Sequence, residues 1–320
     1  MSVRWGFIGA GWIARVALAP ALHSADGAVL QAVAARDPLR AAGLGPVGAV
    51  YDDYAALVAD PSVEAVYISL SNEAHKPWVL AALAAGKHVL CEKPLGLDAE
   101  EVVAMEAAAR DADRLLVEAT WSRWHPRTRR AAALLRAGVV GEVHAIDSGF
   151  VFEGVDDFNY RLEPERGGGA LYDLGPYSVG APLWAVPDED PQVVRAEATR
   201  GPSGVDLAMD ATLVVGGATA RTRSSFVEAD RQWLRIEADR GGLEFSDPVF
   251  TDRWSRSTLT VTSPDGERVE EFPPVDPYQV MLEHVSRRVR GDRTAWVLPL
   301  EESLRVARAL DAVFAAAGMR

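Results

Sequence analysis

Short apolar runs alternate with amphipathic stretches through residues 1–120. The runs are typical of buried strands and lie at 3–8, 29–35, 65–70, 88–91 and 115–118. The stretches between them predict helices at 12–24, where Pro20 marks a kink or an end, and at 38–44, 54–58, 76–85 and 98–110. Strands that alternate with helices form a parallel sheet with right-handed crossovers, and strands buried on both faces need continuous apolar runs. This part of the chain therefore predicts an α/β fold with a doubly wound parallel sheet.

The pattern changes after Trp121, where strand-like runs follow one another with turn signals between them. The runs lie at 144–152, 193–198, 210–215, 218–226, 232–238 and 258–262, and the turns at 216–217, 241–242 and 264–266. Helices are predicted at 127–137, 176–185, 278–289 and 301–317. Such close spacing predicts an α/β domain with a large, mostly antiparallel sheet. A chain of 320 residues suits two domains, which we expect at 1–120 and 121–320, with the C-terminal helices returning toward the first.

Charge and cysteine content narrow the classes of partner. The chain has 33 basic and 46 acidic residues, a net charge of -13, which argues against nucleic acid and anionic membranes as partners. It has no signal-peptide pattern and no run of about 18 apolar residues that would span a membrane. Its single cysteine, Cys91, excludes an intrachain disulfide and suits a reducing compartment, so we expect a cytoplasmic protein.

A glycine-rich turn follows the first predicted strand and opens a helix. Gly9, Gly11 and Ala14 match the pattern G-x-G-x-x-G/A, with Trp12 and Ile13 between them. In that pattern the first glycine permits the tight turn, the second lets backbone approach a pyrophosphate, and the third position packs helix against strand. The context predicts dinucleotide binding, although a purely structural turn is the alternative.

The end of the second predicted strand bears on the choice of cofactor. An acid there would bind the ribose hydroxyls of NAD, whereas a basic residue would bind the 2′-phosphate of NADP. The sequence reads Ala34-Ala35-Arg36-Asp37-Pro38. Asp37 before a proline is a good helix N-cap, which leaves Arg36 for the phosphate. We therefore favour NADP(H) over NAD(H); the alternatives are an ordinary surface arginine and an Asp37 that serves the ribose.

Three side chains are candidates for hydride chemistry. Lys93 follows the fourth predicted strand in Cys91-Glu92-Lys93-Pro94, at the sheet edge where ligands bind. The glycine run 167–169 would let a loop pass close to a ligand. Asp173 and Tyr177 lie four residues apart after it, on one face of a helix whose first turn should contain Pro176. A tyrosine beside a lysine can exchange a proton with a substrate oxygen. The alternatives are a surface lysine, a capping aspartate and a packed tyrosine.

The segment after the third predicted strand adds candidates at the cofactor edge. Ser69, Leu70, Asn72 and His75 lie there, although His75 could cap the following helix instead. No other group of His, Cys, Asp and Glu has metal-ligand spacing, so no metal is predicted. The sequence also lacks the G-x-S-x-G elbow of a hydrolase.

Together these motifs resemble the Gfo/Idh/MocA family of oxidoreductases. The matching pieces are GAGWIA at 9–14, SNEAH at 71–75, EKP at 92–94 and GGGALYDLGPY at 167–177. The resemblance implies a Rossmann domain followed by a domain with a large, mostly antiparallel sheet. It also implies homo-oligomers, dimers or tetramers, that assemble through that sheet.

Residue roles follow from the same resemblance. Lys93 corresponds to the family's EKP lysine, Asp173 to its aspartate, and Tyr177 stands where the family usually has histidine. That tyrosine and the segments 34–37 and 118–124 are similar to those of one branch of the family, which contains dimeric dihydrodiol dehydrogenase and NADP-dependent xylose dehydrogenase. This similarity implies that Trp121 and Arg123 line the substrate cleft. A cis peptide before Pro94 is also implied. The expected cofactor contacts are Gly9, Gly11, Trp12, Ile13, Arg36, Ser69, Leu70, Asn72, His75, Glu92 and Lys93.

The expected activity is hydride transfer between NADP(H) and a secondary alcohol, ketone or hemiacetal carbon of a sugar-like or polyol substrate. Tyr177 would exchange the hydroxyl proton and also contact substrate, Lys93 would hold the oxygen, and Asp173 would orient the pair. One alternative is an NAD-dependent polyol or inositol-type dehydrogenase. Another is a nucleotide-sensing protein of the same fold without catalysis, although sensing alone needs no proton-transfer group.

Overall fold

The computed structural model describes residues 1–156, 159–187 and 189–320. They form two compact units, each built from two segments of chain. The first unit contains Met1–Trp121 and Asp276–Ser303, and the second contains Ser122–Val275 and Leu304–Arg320. The stretch 276–303, which the sequence analysis assigned to the second domain, thus folds with the first unit.

The first unit is built on a parallel sheet. Within its described residues the strands are β1 (Val3–Ile8), β2 (Ala28–Ala34), β3 (Ala49–Tyr51), β4 (Ala65–Ile68), β5 (His88–Cys91) and β6 (Leu116–Glu118). Their order across the sheet is β3-β2-β1-β4-β5-β6, and every neighbouring pair is parallel. The order reverses between β1 and β4, so the carboxyl ends of these two strands form the switch point at which open α/β sheets bind ligands.

The α-helices of both units follow the predicted pattern closely. In chain order they are α1 (Ala19–Ser24), α2 (Pro38–Ala42), α3 (Tyr54–Ala59), α4 (His75–Ala84), α5 (Ala99–Asp111), α6 (Pro126–Arg136), α7 (Ala170–Ser178), α8 (Gly180–Ala185), α9 (Pro277–Val289) and α10 (Leu300–Ala316). A π-helix, Ala14–Leu18, precedes α1. Pro20 lies in the first turn of α1, which continues directly from the π-helix.

The second unit is built on a larger sheet. Its strands among the described residues are β7 (Val143–Glu153), β8 (Gln192–Arg200), β9 (Asp206–Val215), β10 (Ala218–Ser225), β11 (Val227–Ala238), β12 (Gly241–Phe245), β13 (Ser257–Ser263) and β14 (Gly266–Phe272). The order is β14-β13-β12-β11-β7-β10-β9-β8. Only β7 and β10 pair in parallel within this described sheet, which confirms the predicted mostly antiparallel sheet and the α/β fold class.

One predicted helix differs in its bounds. The sequence predicted one helix at 176–185. The structure has two helices there: α7 begins at Ala170 and contains Pro176, and α8 ends at Ala185. That prediction was wrong because it assumed that proline must open a helix. Most side chains of α7 are buried, and such packing overrides the local preference. In the described part of the chain no helix combines the length and apolar character of a membrane span.

Candidate active site

The glycine-rich turn leaves β1 at the switch point. Gly9 has a φ of +98°, and a Cβ there would lie 2.5 Å from the Ser69 carbonyl oxygen, so the fold itself requires this glycine. A Cβ at Gly11, in contrast, would meet no described atom within 4 Å. Packing therefore does not explain why residue 11 is a glycine. Its backbone is exposed immediately before the start of a helix. Trp12 beside it is 70% exposed, and Ile13 is half-buried.

Arg36 and Asp37 have separate surroundings after β2. The Asp37 carboxylate accepts hydrogen bonds from the amides of Leu39 (2.9 Å) and Arg40 (3.3 Å), which confirms it as the N-cap of α2. The Arg40 guanidinium also lies 3.4 Å from this carboxylate. Arg36 is exposed. The residue that could bind a ribose hydroxyl is thus occupied, and the neighbouring cation faces solvent.

The ends of β1 and β4 bring part of the predicted cofactor set together. The Ser69 hydroxyl lies 3.4 Å from the carbonyl oxygens of both Ile8 and Gly9. Leu70 lies beside Gly9 as well, because a Cβ at Gly9 would be 3.2 Å from its side chain. Asn72 is buried in the 3-10 helix Asn72–Ala74 that follows. These residues line the switch point, as an adenine dinucleotide site requires.

Buried carboxylates accept hydrogen bonds from the backbone of the segment that carries Lys93. The Lys93–Pro94 peptide is cis, as the resemblance implied. Glu92 accepts hydrogen bonds from the Tyr67 hydroxyl (2.7 Å) and from the Lys93 amide (3.3 Å), and Glu118 accepts one from the Leu95 amide (3.0 Å). The backbone around Lys93 is thereby fixed by carboxylates on both sides.

His75 links this segment to the end of β4. Its ring is fully buried; Nδ1 lies 2.8 Å from the Pro94 carbonyl oxygen and Nε2 lies 3.2 Å from the Leu70 carbonyl oxygen. Burial lowers the pKa of His75, while the contacts with the Pro94 and Leu70 carbonyl oxygens act in the opposite direction. A direct contact of this ring with the cofactor stays a prediction; what the structure shows is a brace between two backbone segments.

Burial also governs the acid opposite Lys93. The Glu118 carboxyl is 3% exposed, and burial raises its pKa, while the hydrogen bond from the Leu95 amide and the charge of Lys93 act in the opposite direction. Lys93 therefore lies within electrostatic range of a buried carboxyl. Cys91, the one cysteine of the chain, is buried on β5 just before this segment.

Helix α7 of the second unit carries Asp173 and Tyr177 one turn apart. Tyr177 is 6% exposed, and its ring contacts those of Phe150 (5.6 Å) and Phe250 (5.7 Å), measured between centroids. The Asp173 carboxylate accepts two hydrogen bonds from the Arg161 guanidinium, at 2.7 and 3.0 Å. Asp173 is thus held by a planar fork of donors.

Arg161, which binds the candidate residue Asp173, was not among the residues predicted from the sequence. Burial lowers its pKa, but Asp173, with smaller contributions from Tyr160 and Tyr177, outweighs that effect and raises the pKa overall. The guanidinium is therefore a permanent cation within electrostatic range of Tyr177. The sequence offers no signal for it, because 12 residues and no regular spacing separate Arg161 from Asp173.

The glycine run before α7 has a different role from the one predicted. It was expected to pass close to a ligand, yet a Cβ at Gly168 would lie 2.7 Å from the Arg161 carbonyl oxygen, and one at Gly169 would collide with Asp206 Oδ1. Both positions are closed by the protein's own chain, and Gly169 has a φ of +124°. That interpretation of the run was wrong for these two residues: they make room for neighbouring segments.

The two predicted substrate contacts belong to different units. Trp121 ends the first segment of unit one, is 4% exposed and stacks on Tyr278 with a centroid distance of 4.3 Å. Arg123 belongs to unit two and lies 5.5 Å from the ring centroid of Trp184. Their contact with substrate stays a prediction. Among the described residues no group of His, Cys, Asp and Glu could hold a metal ion.

Comparison with known proteins gives the family. The model described as "Oxidoreductase family, NAD-binding Rossmann fold" matches residues 3–120, and the "GFO/IDH/MocA C-terminal domain" matches residues 128–244. The chain belongs to the Gfo/Idh/MocA oxidoreductase family. A family member from Haloferax volcanii, "D-xylose 1-dehydrogenase (NADP(+)) 2", is 36% identical over 98% of this chain and 97% of its own.

Other proteins similar to this chain agree with the branch that the motifs indicated. Trans-1,2-dihydrobenzene-1,2-diol dehydrogenase of Mus musculus is 31% identical over 100% of this chain and 98% of its own. Among solved structures, KijD10, a 3-ketoreductase from Actinomadura kijaniata in complex with NADP and TDP-benzene, has a TM-score of 0.88 at 28% identity over 99% of this chain and 98% of its own. The aldose-aldose oxidoreductase of Caulobacter crescentus has a TM-score of 0.89 at 25% identity, over 99% and 98%.

Proposed function

We propose that this protein is an NADP(H)-dependent oxidoreductase that transfers a hydride to or from a carbinol, ketone or hemiacetal carbon of a sugar-like or polyol substrate. The observation that carries the cofactor assignment is the capping role of Asp37, whose carboxylate is occupied by the amides of Leu39 and Arg40. An acid free to bind the ribose hydroxyls is the mark of an NAD site. Here that position offers the exposed Arg36 instead. The relatives named for NADP and the structure solved with NADP support the same choice.

The residues at the switch point fit a dinucleotide. Gly11 offers backbone without a side chain at the start of a helix, which suits a pyrophosphate, and no packing contact within the described residues explains it otherwise. Ser69, Leu70 and Asn72 border the same turn. The expected contacts of Trp12, Ile13, His75, Glu92 and Lys93 with the cofactor belong to this proposal.

Lys93, Tyr177 and Asp173 supply the chemistry in this proposal. The nicotinamide, when bound, donates or accepts the hydride. Tyr177 exchanges the proton of the substrate hydroxyl, and the Lys93 ammonium binds the same oxygen and stabilises charge that develops on it. Asp173 is held by Arg161 at 2.7 and 3.0 Å, and this pair orients Tyr177. Trp121 and Arg123 contact the substrate.

Assembly and compartment complete the proposal. We propose a dimer or tetramer formed through the eight-stranded sheet of the second unit. The face of that sheet away from α7 carries charged side chains such as Arg223, which pairs with Asp210 and Glu228. A reducing compartment such as the cytoplasm suits a chain whose one cysteine is buried as a free thiol.

The test is turnover with a substrate panel. NADPH consumption is measured with ketoses, aldoses and sugar nucleotides, and NADP⁺ reduction with the corresponding alcohols. For the substrate that reacts, Lys93→Ala should lower kcat by about 10²–10⁴-fold, the range of general acid–base contributions, and should weaken NADPH binding far less than that. Binding of NADPH without turnover across the panel, or an unchanged kcat in Lys93→Ala, would contradict the proposal.

A further inference from the structure

Asp206 is a buried carboxylate that lies far in sequence from every residue assigned a role above. It begins strand β9 and is 1% exposed. Its Oδ2 atom accepts a hydrogen bond from the Leu171 amide at 2.7 Å. Ala170 and Leu171 are the first two residues of α7. The carboxylate therefore occupies the amino end of that helix.

The chain supplies no cap of its own at this position. The N-cap residue of α7 is Gly169, which has no side chain to accept the free amides, and four such amides open every α-helix. Gly169 is also what admits Asp206, because a Cβ there would collide with Oδ1. The glycine and the aspartate, 37 positions apart in number, thus form one packed unit in which a distant strand caps the helix.

The capped helix carries the proposed proton-transfer residue and its partner. Asp173 lies in the first turn of α7 and Tyr177 one turn later, about 10 Å along the axis from the capped end at 1.5 Å per residue. The start of α7 is also held by the Gly169 amide, which donates to the Arg161 carbonyl oxygen at 2.9 Å. Arg161 in turn binds Asp173. A shift at the amino end of α7 would therefore move both Asp173 and Tyr177.

We propose that Asp206 is a positioning residue for the hydride-transfer reaction: its ionised carboxylate caps α7 and thereby places Tyr177 and the Asp173–Arg161 pair. The inference rests on the proposed function, since it assumes that Tyr177 exchanges the substrate proton. Asp206 itself touches neither substrate nor cofactor in this assignment.

The surroundings of Asp206 make the cap sensitive to pH. The charged neighbours Asp173 and Arg161 are bound to one another, and Arg200, its register partner on β8, donates to the Gly318 carbonyl oxygen at 2.6 Å. Burial raises the pKa of Asp206 to about 7. Among the described residues, the groups that act to lower this pKa are backbone amides. Oδ1 has no hydrogen-bond partner among the described residues. Protonation below that pH would remove the charge that attracts the helix amides.

The decisive variant is Asp206→Asn, which keeps the size of the side chain and removes its charge. We expect kcat at pH 8 to fall by about 10–100-fold, the scale of a misplacement of roughly 1 Å, while the dissociation constant of NADPH stays within about twofold of wild type. The kcat of wild type should fall as the pH is lowered through about 7, and Asp206→Asn should lose that step. Asp98→Asn, which removes the charge of the α5 cap, is the matched control and should keep wild-type kcat.

Two experimental outcomes distinguish a failure of this inference from a failure of the proposed function. If Tyr177→Phe abolishes turnover while Asp206→Asn keeps the wild-type kcat and pH profile, the role of Asp206 is wrong and the proposed function stands. If wild type turns over no substrate, amide hydrogen exchange decides: the Leu171 amide of wild type should exchange more slowly at pH 8 than at pH 6 after correction for the intrinsic rate. Equal protection of the Leu171 amide at the two pH values would contradict the proposal that the ionised Asp206 carboxylate caps α7. This measurement uses wild type alone, so it applies even if Asp206→Asn does not fold.

Discussion

Arg36 and Asp37 are adjacent in sequence but have different partners. The carboxylate is committed to the helix that follows it, whereas the guanidinium extends into solvent from the carboxyl end of β2. At this scale, cofactor preference depends on which of the two groups is available to a ligand. Alanines at 34 and 35 add no acid that would repel a 2′-phosphate.

The first prediction concerns that choice. Wild type should bind NADPH more tightly than NADH, and Arg36→Ala should weaken NADPH binding by about 10–150-fold, equivalent to roughly 1.5–3 kcal/mol for a charge-assisted hydrogen bond. NADH binding should change little. Fluorescence titration measures both, with Arg110→Ala on the exposed face of α5 as control. Tighter binding of NADH by wild type would return Asp37 to the ribose.

The second prediction concerns the hydroxyl of Tyr177. Tyr177→Phe keeps the ring contacts with Phe150 and Phe250 and removes the hydroxyl proposed to exchange the proton. Turnover should fall by about 10²–10⁴-fold, with NADPH affinity near that of wild type. Tyr172→Phe, on the same helix with its ring against Phe314, is the matched control. Normal turnover by Tyr177→Phe would leave this tyrosine a packing residue only.

Single residues also show where sequence reasoning ends. Asp37 could be recognised because its helix follows it directly and Pro38 marks the first turn. Arg161 and Asp206 could not, because their partners Asp173 and Leu171 are brought to them by tertiary packing. The glycine at 169 was visible, but its reason, the carboxylate of Asp206, lies on a strand whose register only the structure gives.

At the scale of elements, a segment of the second unit is held by one buried cation. Arg127 of α6 is 0% exposed and donates to the Ser246 carbonyl and hydroxyl oxygens and to the carbonyls of Pro248 and Val249 at 2.8–3.0 Å. The following residue, Phe250, lies against Tyr177. The segment 246–250 therefore connects the start of α6 to the aromatic surroundings of the proposed proton donor.

The third prediction concerns the histidine before α6. His125 accepts a hydrogen bond from the Arg127 amide at 3.1 Å and lies 3.4 Å from Asp252; burial, then the charge of Arg127, lowers its pKa to about 4. The unfolded chain, with a pKa of about 6.5, takes up the proton first. The contribution of His125 to stability is therefore complete above pH 6.5 and is lost as the pH falls toward 4, by at most about 3 kcal/mol.

Urea unfolding of wild type and His125→Asn between pH 4 and 8 measures this contribution. Asparagine keeps a helix-capping acceptor without a titrating ring. The difference in free energy of unfolding between the two proteins should be constant above pH 7 and change below it, with wild type losing more. A difference that does not vary with pH would contradict the assigned pKa of His125.

Elements were predicted well where an apolar run had the length of a strand and poorly elsewhere. Strand β3 has only three residues. Strand β14 lies at the edge of its sheet, and most of its residues are charged. Neither strand therefore has an apolar run that could be detected. Gly241 and Gly242 were interpreted as a turn, yet they lie in β12, where a Cβ at Gly241 would collide with the Thr262 carbonyl oxygen. Close approach of two backbones in a sheet needs glycine as much as a turn does.

For the whole molecule, the proposed assembly would use the exposed face of the larger sheet. Ser224 of β10 hydrogen-bonds Ser178 of α7 at 2.8 Å, so Arg223, the preceding residue, lies on the opposite face. Its ion pairs with Asp210 and Glu228 are surface pairs, worth about 0–1 kcal/mol for folding. Substitution there should affect association more than stability.

The fourth prediction follows from that placement. Wild type should be a dimer or tetramer at micromolar concentration, and Arg223→Glu, which gathers three acids on the sheet face, should shift it toward monomer. Analytical ultracentrifugation measures the shift, and Arg110→Glu in the first unit serves as control. If Arg223→Glu assembles as wild type does, the interface lies elsewhere on the molecule.

The return of residues 276–303 to the first unit has a consequence for synthesis on the ribosome. Trp5 of β1 donates from Nε1 to the Ser286 hydroxyl of α9 at 3.1 Å, a buried contact, and Arg290 binds Glu64 and the carbonyl oxygens of Met1 and Ser2. The first unit therefore cannot be completed on the ribosome until residues 276–303 have been translated. A premature stop codon before residue 276 would remove contacts from the unit whose sheet is encoded by residues 3–118.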